Sequence, residues 1–219
     1  SKKSKSVLGI DIGSSAIKIV QIKKKRGKAV LETYGELALG PYAGTEIGRS
    51  TNLPNEKIIE ALVDILREAK TTTIVSGMAL PLSSSLITFI TIPPVPEKQL
   101  AEAIALEARK YIPVPMNEVT LDYSLVPREE SISNDINNEE GEDGSSKDNL
   151  NPKEQAAKDL ALKSRDALVV AIHNEYITNY QAIVEGSGIQ PSFYELELFS
   201  SIRAVVDQGI QSVMILDMG

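Results

Sequence analysis

Leu8-Gly9-Ile10-Asp11-Ile12-Gly13-Ser14-Ser15-Ala16-Ile17-Lys18-Ile19-Val20 is an apolar strand, a polar turn and a second apolar strand. Asp-x-Gly-Ser-Ser at the bend reads as a hairpin built around a tight turn. Gly13 has no Cβ, so the backbone there can take φ > 0 and lie close to a ligand. The N–H groups and hydroxyls of Ser14 and Ser15 then point into one concavity, where an anion can sit. Asp11 at its edge makes sense beside a phosphate only with a cation between them, which implies Mg²⁺. Lys18 reaches the same place as a point charge. The stretch therefore predicts half of a nucleotide-phosphate site. The bland reading is a structural turn, because Asp, Gly and Ser are common turn residues.

Asp-x-Gly-Ser/Thr-x-x-x-Lys on an N-terminal hairpin resembles the first phosphate motif of the actin, heat-shock-protein and sugar-kinase superfamily. Pro191 to Val206 (PSFYELELFSSIRAVV) resembles that superfamily's connecting helix, opened by an acidic residue, here Glu197. Val213-Met214-Ile215-Leu216-Asp217-Met218-Gly219 is similar to its second phosphate motif. The middle of the chain narrows the family. It runs Thr91-Ile92-Pro93, then Ala101-Glu102-Ala103-Ile104, Tyr111-Ile112-Pro113-Val114-Pro115 and Glu118-Val119-Thr120-Leu121-Asp122-Tyr123. This order closely resembles PilM, the cytoplasmic actin-like family of type IV pilus assembly and a relative of FtsA.

The resemblance implies an α/β fold: an actin-like (ribonuclease-H-like) domain with an inserted small α+β (SHS2-type) subdomain. It places the first domain at 1–80 plus 174–219 and the inserted subdomain at 81–173. It implies ATP and Mg²⁺ as cofactors. Asp11, Gly13, Ser14, Ser15, Lys18, Asp217 and Gly219 would hold the phosphates, and Asp11 and Asp217 would hold Mg²⁺ through water. Glu197 is a candidate to position the water that attacks the γ-phosphate, with Glu195 competing for the role. Its bland alternative is a helix-opening acid that suits the dipole. The implied partner is the N-terminal cytoplasmic tail of a PilN-type membrane protein, followed by pilus motor or platform proteins and self-association. The implied location is cytoplasmic, tied to the inner membrane through partners. The sequence stops inside the second phosphate motif. The expectation is therefore a first half whose full-length form carries a weak ATPase and which is itself inactive. Alternatives are an FtsA-like division tether and a sugar or acetate kinase relative.

Composition bounds these readings. With 42% apolar residues in 219, there is enough for one or two cores. There is no cysteine and only one histidine, so thiolate and multi-histidine metal sites are excluded within one chain. No apolar run is long enough to span a bilayer, and Ser1-Lys2-Lys3-Ser4-Lys5 leads into a strand rather than a signal-peptide core. With no Trp and three Phe, an aromatic platform for nucleic acid is not expected, nor is direct membrane insertion. The net charge of −7 comes from one stretch. Residues 129–150 hold eight acids and one lysine, and the remainder carries 22 acids against 22 bases. That stretch lacks periodicity and predicts a disordered acidic loop over 129–165.

Strands are expected at Val7–Asp11, Ala16–Lys23 and Ala29–Ala38 from their apolar, β-branched runs. The basic cluster Lys23-Lys24-Lys25-Arg26-Gly27-Lys28 falls on the turn between the last two. It could attract an anionic membrane surface or nucleic acid, and the balanced charge around it favours a solvated hairpin tip. Pro54–Lys70 reads as a helix with Ile58, Ile59, Leu62, Val63, Ile65 and Leu66 as its buried stripe. A strand over Thr72–Ala79 follows. In the inserted region, a helix over Glu97–Tyr111 puts Leu100, Ile104, Ala105, Ala108 and Tyr111 on one face. It packs on strands Leu86–Ile92, Val119–Val126 and Ala167–Ile172. A helix from Asn174 to Glu185, ended by Gly186 and Gly188, a strand Ile189–Tyr194 and a helix Glu195–Gln208 complete the chain.

Overall fold

The computed structural model describes residues 5–126, 164–206 and 213–216. The acidic segment, Asp217 and Gly219 lie outside the described residues; Arg165 itself begins a strand. The chain divides into two compact units, Ser1–Ser85 with Asn174–Gly219, and Leu86–His173.

The first unit is built on a five-stranded mixed sheet. β1 (Ser6–Ile12), β2 (Ala16–Lys25) and β3 (Lys28–Ala38) form an antiparallel meander. β4 (Val75–Leu80) lies parallel to β1, and β8 (Gln190–Leu196) lies parallel to β4, giving the order β3-β2-β1-β4-β8. Strand alternation puts Leu8, Ile10, Ile17, Ile19 and Met78 on the buried face. Gln21 is also there, only 1% exposed, and it is fully used: its amide donates to Glu32 and Thr72 at 2.8 Å, and its oxygen accepts the Thr72 N–H at 2.8 Å. A buried amide is tolerated only when satisfied in this way. It ties β2 to the segment entering β4.

Helix α1 (Asn55–Glu68) buries Ala61, Leu62 and Ile65, and packs against β2, β3 and helix α3 (Asn174–Ser187). Val63, expected in the buried stripe, is exposed; it falls on the outer side of the 3.6-residue period. Gly188, with φ +71, ends α3 as its N–H bonds to the Val184 carbonyl. Gly186 does not end it. It sits inside the helix, where a Cβ would lie 2.5 Å from Ile59 Cδ1, so its lack of a side chain is what lets α3 approach α1. Helix α4 (Glu197–Val205) is shorter than expected and starts two residues later, because β8 runs on to Leu196. The opposite sheet face exposes Val20, Ile22, Leu31, Tyr34 and Phe193.

Among the described residues, the second unit is a three-stranded sheet, β5-β7-β6, with one helix. β5 is Ser85–Ile92, β6 is Val119–Val126 and β7 is Arg165–His173; β6 and β7 pair antiparallel. Helix α2 (Leu100–Ala108) follows a 3₁₀ turn at Glu97–Gln99. Leu100, Ile104 and Ala108 from α2 meet Ile90, Ile92, Val119, Ala167 and Val169 in one core. The helix stops before Tyr111, which is 51% exposed rather than on the buried stripe; Pro113 and Pro115 follow and prevent continuation. The first unit runs past residue 80 to Ser85 for a local reason. The 3₁₀ turn Leu82–Ser84 is held to it by the Glu197 carboxylate, which accepts the Leu82 N–H at 2.7 Å.

Candidate functional site

The parallel strands β1, β4 and β8 end on the same edge of the first unit's sheet. Ligand sites in open α/β sheets form outside such carboxyl ends, where diverging connections leave a crevice. A cleft of about 550 Å³ opens there. Asp11, Gly13, Ser14, Ser15, Lys18 and Glu197 all line it, so the structure brings together every described residue predicted from the phosphate motif.

Asp11 and Lys18 are register partners across β1 and β2, so they leave the sheet on the same side. The turn between them is closed by the Gly13 N–H bonding to the Ala16 carbonyl at 3.0 Å. Gly13 does not adopt a positive φ, contrary to the sequence expectation. Its glycine is required by proximity instead: a Cβ would stand 3.1 Å from the Ala16 oxygen. The turn is fastened from behind. Ser14's carbonyl accepts from the N–H and the hydroxyl of Thr51, at 2.8 and 3.0 Å, and Ser15's carbonyl accepts the Leu39 N–H at 2.8 Å. Among the described residues, neither the Ser14 nor the Ser15 N–H donates to a protein acceptor. The bend thus spends its acceptors on the scaffold and presents donors to the cleft, the polarity an anion needs.

The two candidate acids part company. Glu197 lies in the cleft with one oxygen fixed by Leu82, while Glu195 forms an ion pair with both terminal nitrogens of Arg203. Glu195 pairs with Ala79 in the β4–β8 ladder and does not line this cleft. The change from strand to helix after Leu196 separates them: Glu195 is still in the sheet, whereas Glu197 opens the helix beyond it.

Sequence reasoning missed the far wall. Tyr176, Asn179, Tyr180 and Ile183 of α3 line the cleft, and Asn55 of α1 donates to Asn179 at 3.3 Å. Tyr180 is buried, and that burial, followed by the negative charges of Asp11 and Glu197, raises its hydroxyl above the ordinary tyrosine pKa. The phenol therefore stays a neutral donor beside two carboxylates. The signal was present as an i, i+3, i+4 set of polar-tipped residues on one helix face. It reads equally as a core stripe until the helix is placed. Among the described residues no group of three or more acids or histidines could hold a metal alone. A cation beside Asp11 would need oxygens from a ligand and from water, which is how Mg²⁺ is commonly held.

The sequence model of the type IV pilus assembly protein PilM matches residues 9–165. The chain belongs to the PilM family. Of the families weighed on the sequence, PilM thus prevails over the FtsA-like and kinase readings. Among solved structures, the chain is similar to one described as a PilM-PilN type IV pilus biogenesis complex. The identity is 22%, the coverage 90% of this chain and 49% of that one, and the TM-score 0.64. At that identity the likeness is one of fold: an α/β fold with mixed sheets. The chain spans about half the length of this relative. A second match is the cytoplasmic domain of EpsL, an inner-membrane component of the type II secretion system of Vibrio cholerae. It has 12% identity and a TM-score of 0.49, over 87% of this chain and 57% of that one. Among the described residues no helix is long and apolar enough to cross a membrane.

Proposed function

We propose that this PilM-family chain is the nucleotide-binding first half of a type IV pilus assembly scaffold that recruits a membrane protein's tail. The observation that carries this is the cleft at the carboxyl ends of β1, β4 and β8. It collects the Ser14 and Ser15 donors, Lys18 and two carboxylates from residues far apart in sequence. Ser14, Ser15 and Lys18 would hold the ATP phosphates, and Asp11 and Asp217 would hold Mg²⁺ through water, which would neutralise the phosphate charge. Glu197 is held well enough to orient a water, although its bond to Leu82 also gives it a plain structural duty. Hydrolysis belongs to the full-length protein and is weak.

The first unit reads as an actin-like, ribonuclease-H-like domain and the second as an SHS2-type insertion. The tail partner is the N-terminal segment of a PilN-type protein, which ties this scaffold to the inner membrane; pilus motor proteins and further copies of the chain are secondary partners. Titration of ATP and Mg²⁺ into the full-length gene product tests the nucleotide reading. Asp11→Ala is expected to weaken binding about tenfold or more, the size of a lost charge-assisted contact. Equal affinities would remove Asp11 and its cation from the site. Pull-down with the N-terminal peptides of neighbouring membrane-protein genes tests the tail reading, and failure with folded protein sinks it.

A further inference from the structure

The turn at the other end of β2 joins β2 to β3 through Arg26 and Gly27, with φ of 51° and 83°. Two successive positive φ values make the tightest hairpin turn that matches strand twist. Lys25 and Lys28 are paired directly across it. Like charges opposite each other destabilise a hairpin, so they are a poor choice for folding alone. β1 adds to the cluster, because Ser6 pairs with Lys23 and brings Lys5 alongside. Six cations, Lys5, Lys23, Lys24, Lys25, Arg26 and Lys28, therefore meet at one end of the sheet. All are exposed except the half-buried Lys23. Among the described residues only Lys23 has a carboxylate partner, Glu32 at 3.9 Å. Val30 and Leu31, 41% and 55% exposed, flank the tip.

We propose that this hairpin tip is a contact site for an anionic phospholipid surface. Headgroup phosphates need point charges without base-reading geometry, and the lysines supply them; Val30 and Leu31 supply an apolar flank at the headgroup level. The tip has no aromatic side chain for stacking bases, which disfavours a single-stranded nucleic acid. The whole chain carries −7 and is repelled by an anionic surface, so attraction must be local to a patch. The tip and the nucleotide cleft stand at opposite ends of β2. Its ten residues span about 33 Å, several Debye lengths, so the tip acts independently of charge in the cleft. A surface docked at the tip leaves the cleft open on the far side of the unit. The proposal does not rest on the nucleotide reading.

Co-sedimentation of the chain with vesicles tests it, using phosphatidylcholine alone and an equimolar mixture with phosphatidylglycerol. The variant Lys25→Gln with Arg26→Asn removes two charges while keeping a residue that tolerates positive φ. The chain is expected to bind the anionic vesicles only, to be released by added salt, and to lose roughly fivefold in partitioning per cation, or roughly thirtyfold in the variant. Equal binding by the variant, equal binding to neutral vesicles, or none to anionic ones overturns the proposal. So does tip-dependent binding of duplex DNA or single-stranded RNA without vesicle binding. Far-ultraviolet dichroism checks the fold of the variant, and Lys24→Gln with Lys28→Gln gives a second pair that leaves the turn residues untouched.

Discussion

β2 ends in two turns of opposite construction. At Gly13-Ser14-Ser15 the carbonyls are tied to Thr51 and Leu39, and a Cβ on Gly13 would press on the Ala16 oxygen. At Arg26-Gly27 the backbone is left-handed, and a Cβ on Gly27 would meet nothing within 4 Å. One turn is held against a scaffold that begins at Leu39 and returns at Thr51. The other stands in solvent. A glycine can thus be demanded by its neighbours or by its own dihedral angles, and the two demands respond differently to mutation.

The largest expected effect is at the held turn. Gly13→Val should destabilise the protein by about 2 kcal/mol through crowding against Ala16, read as a shift in urea midpoint. A loss under half of that would mean the hairpin relaxes and is not a rigid cradle. Thr51→Val should cost about 1 kcal/mol, since it removes the hydroxyl bond to Ser14 but leaves the backbone one. It should also weaken ATP binding in the full-length protein more than Gly27→Asn does.

Next comes a pH effect on the segment that fastens the cradle. Tyr42 donates to Asp64 of α1 at 2.7 Å, anchoring the stretch between Leu39 and Thr51. Burial, with the Asp64 bond and charge behind it, pushes the Tyr42 hydroxyl up to about 12; the Tyr42 bond, with help from Arg67, holds Asp64 below the usual carboxylate range. Tyr42's contribution is therefore complete below pH about 10 and lost as pH rises through about 12. Asp64's contribution is present above the ordinary carboxylate pKa and lost as pH falls below it. Tyr42→Phe should flatten both limbs of a stability–pH curve, and an unchanged curve would remove this anchor. The smallest effect belongs to the free turn. Gly27→Asn should stay within about 0.5 kcal/mol, because Asn tolerates the left-handed region and nothing crowds it.

Much of the fold was legible because it is local. Alternation in β2, turn chemistry at both of its ends and the apolar stripe of α1 each follow from residues within one or two turns of chain. β6 falls on Val119–Val126 as expected, since prolines and polar residues bound a clear run. Helix ends were less legible: α2 and α4 are both shorter than their patterns allow, because tertiary strands and prolines claim the flanking residues. The site was half legible. Asp11, Gly13, Ser14, Ser15 and Lys18 form one motif and could be read together. Tyr180 and Asn179 lie in a helix whose facing is set only when Gly186 seats against Ile59.

By itself the sequence determined the PilM family, the hairpin with its donors, and the order of strands and helices, since each rests on short-range pattern. Only the tertiary structure decided that Glu197 rather than Glu195 faces the cleft and that Gly13 is needed for closeness rather than for a positive φ. It also decided that a buried tyrosine completes the wall and that Lys5 joins the basic tip. The physical reason is that each depends on realised backbone geometry, such as where a strand gives way to a helix, how tightly a turn closes or which element lies alongside. Parallel pairing of β1, β4 and β8 joins residues that no local propensity connects.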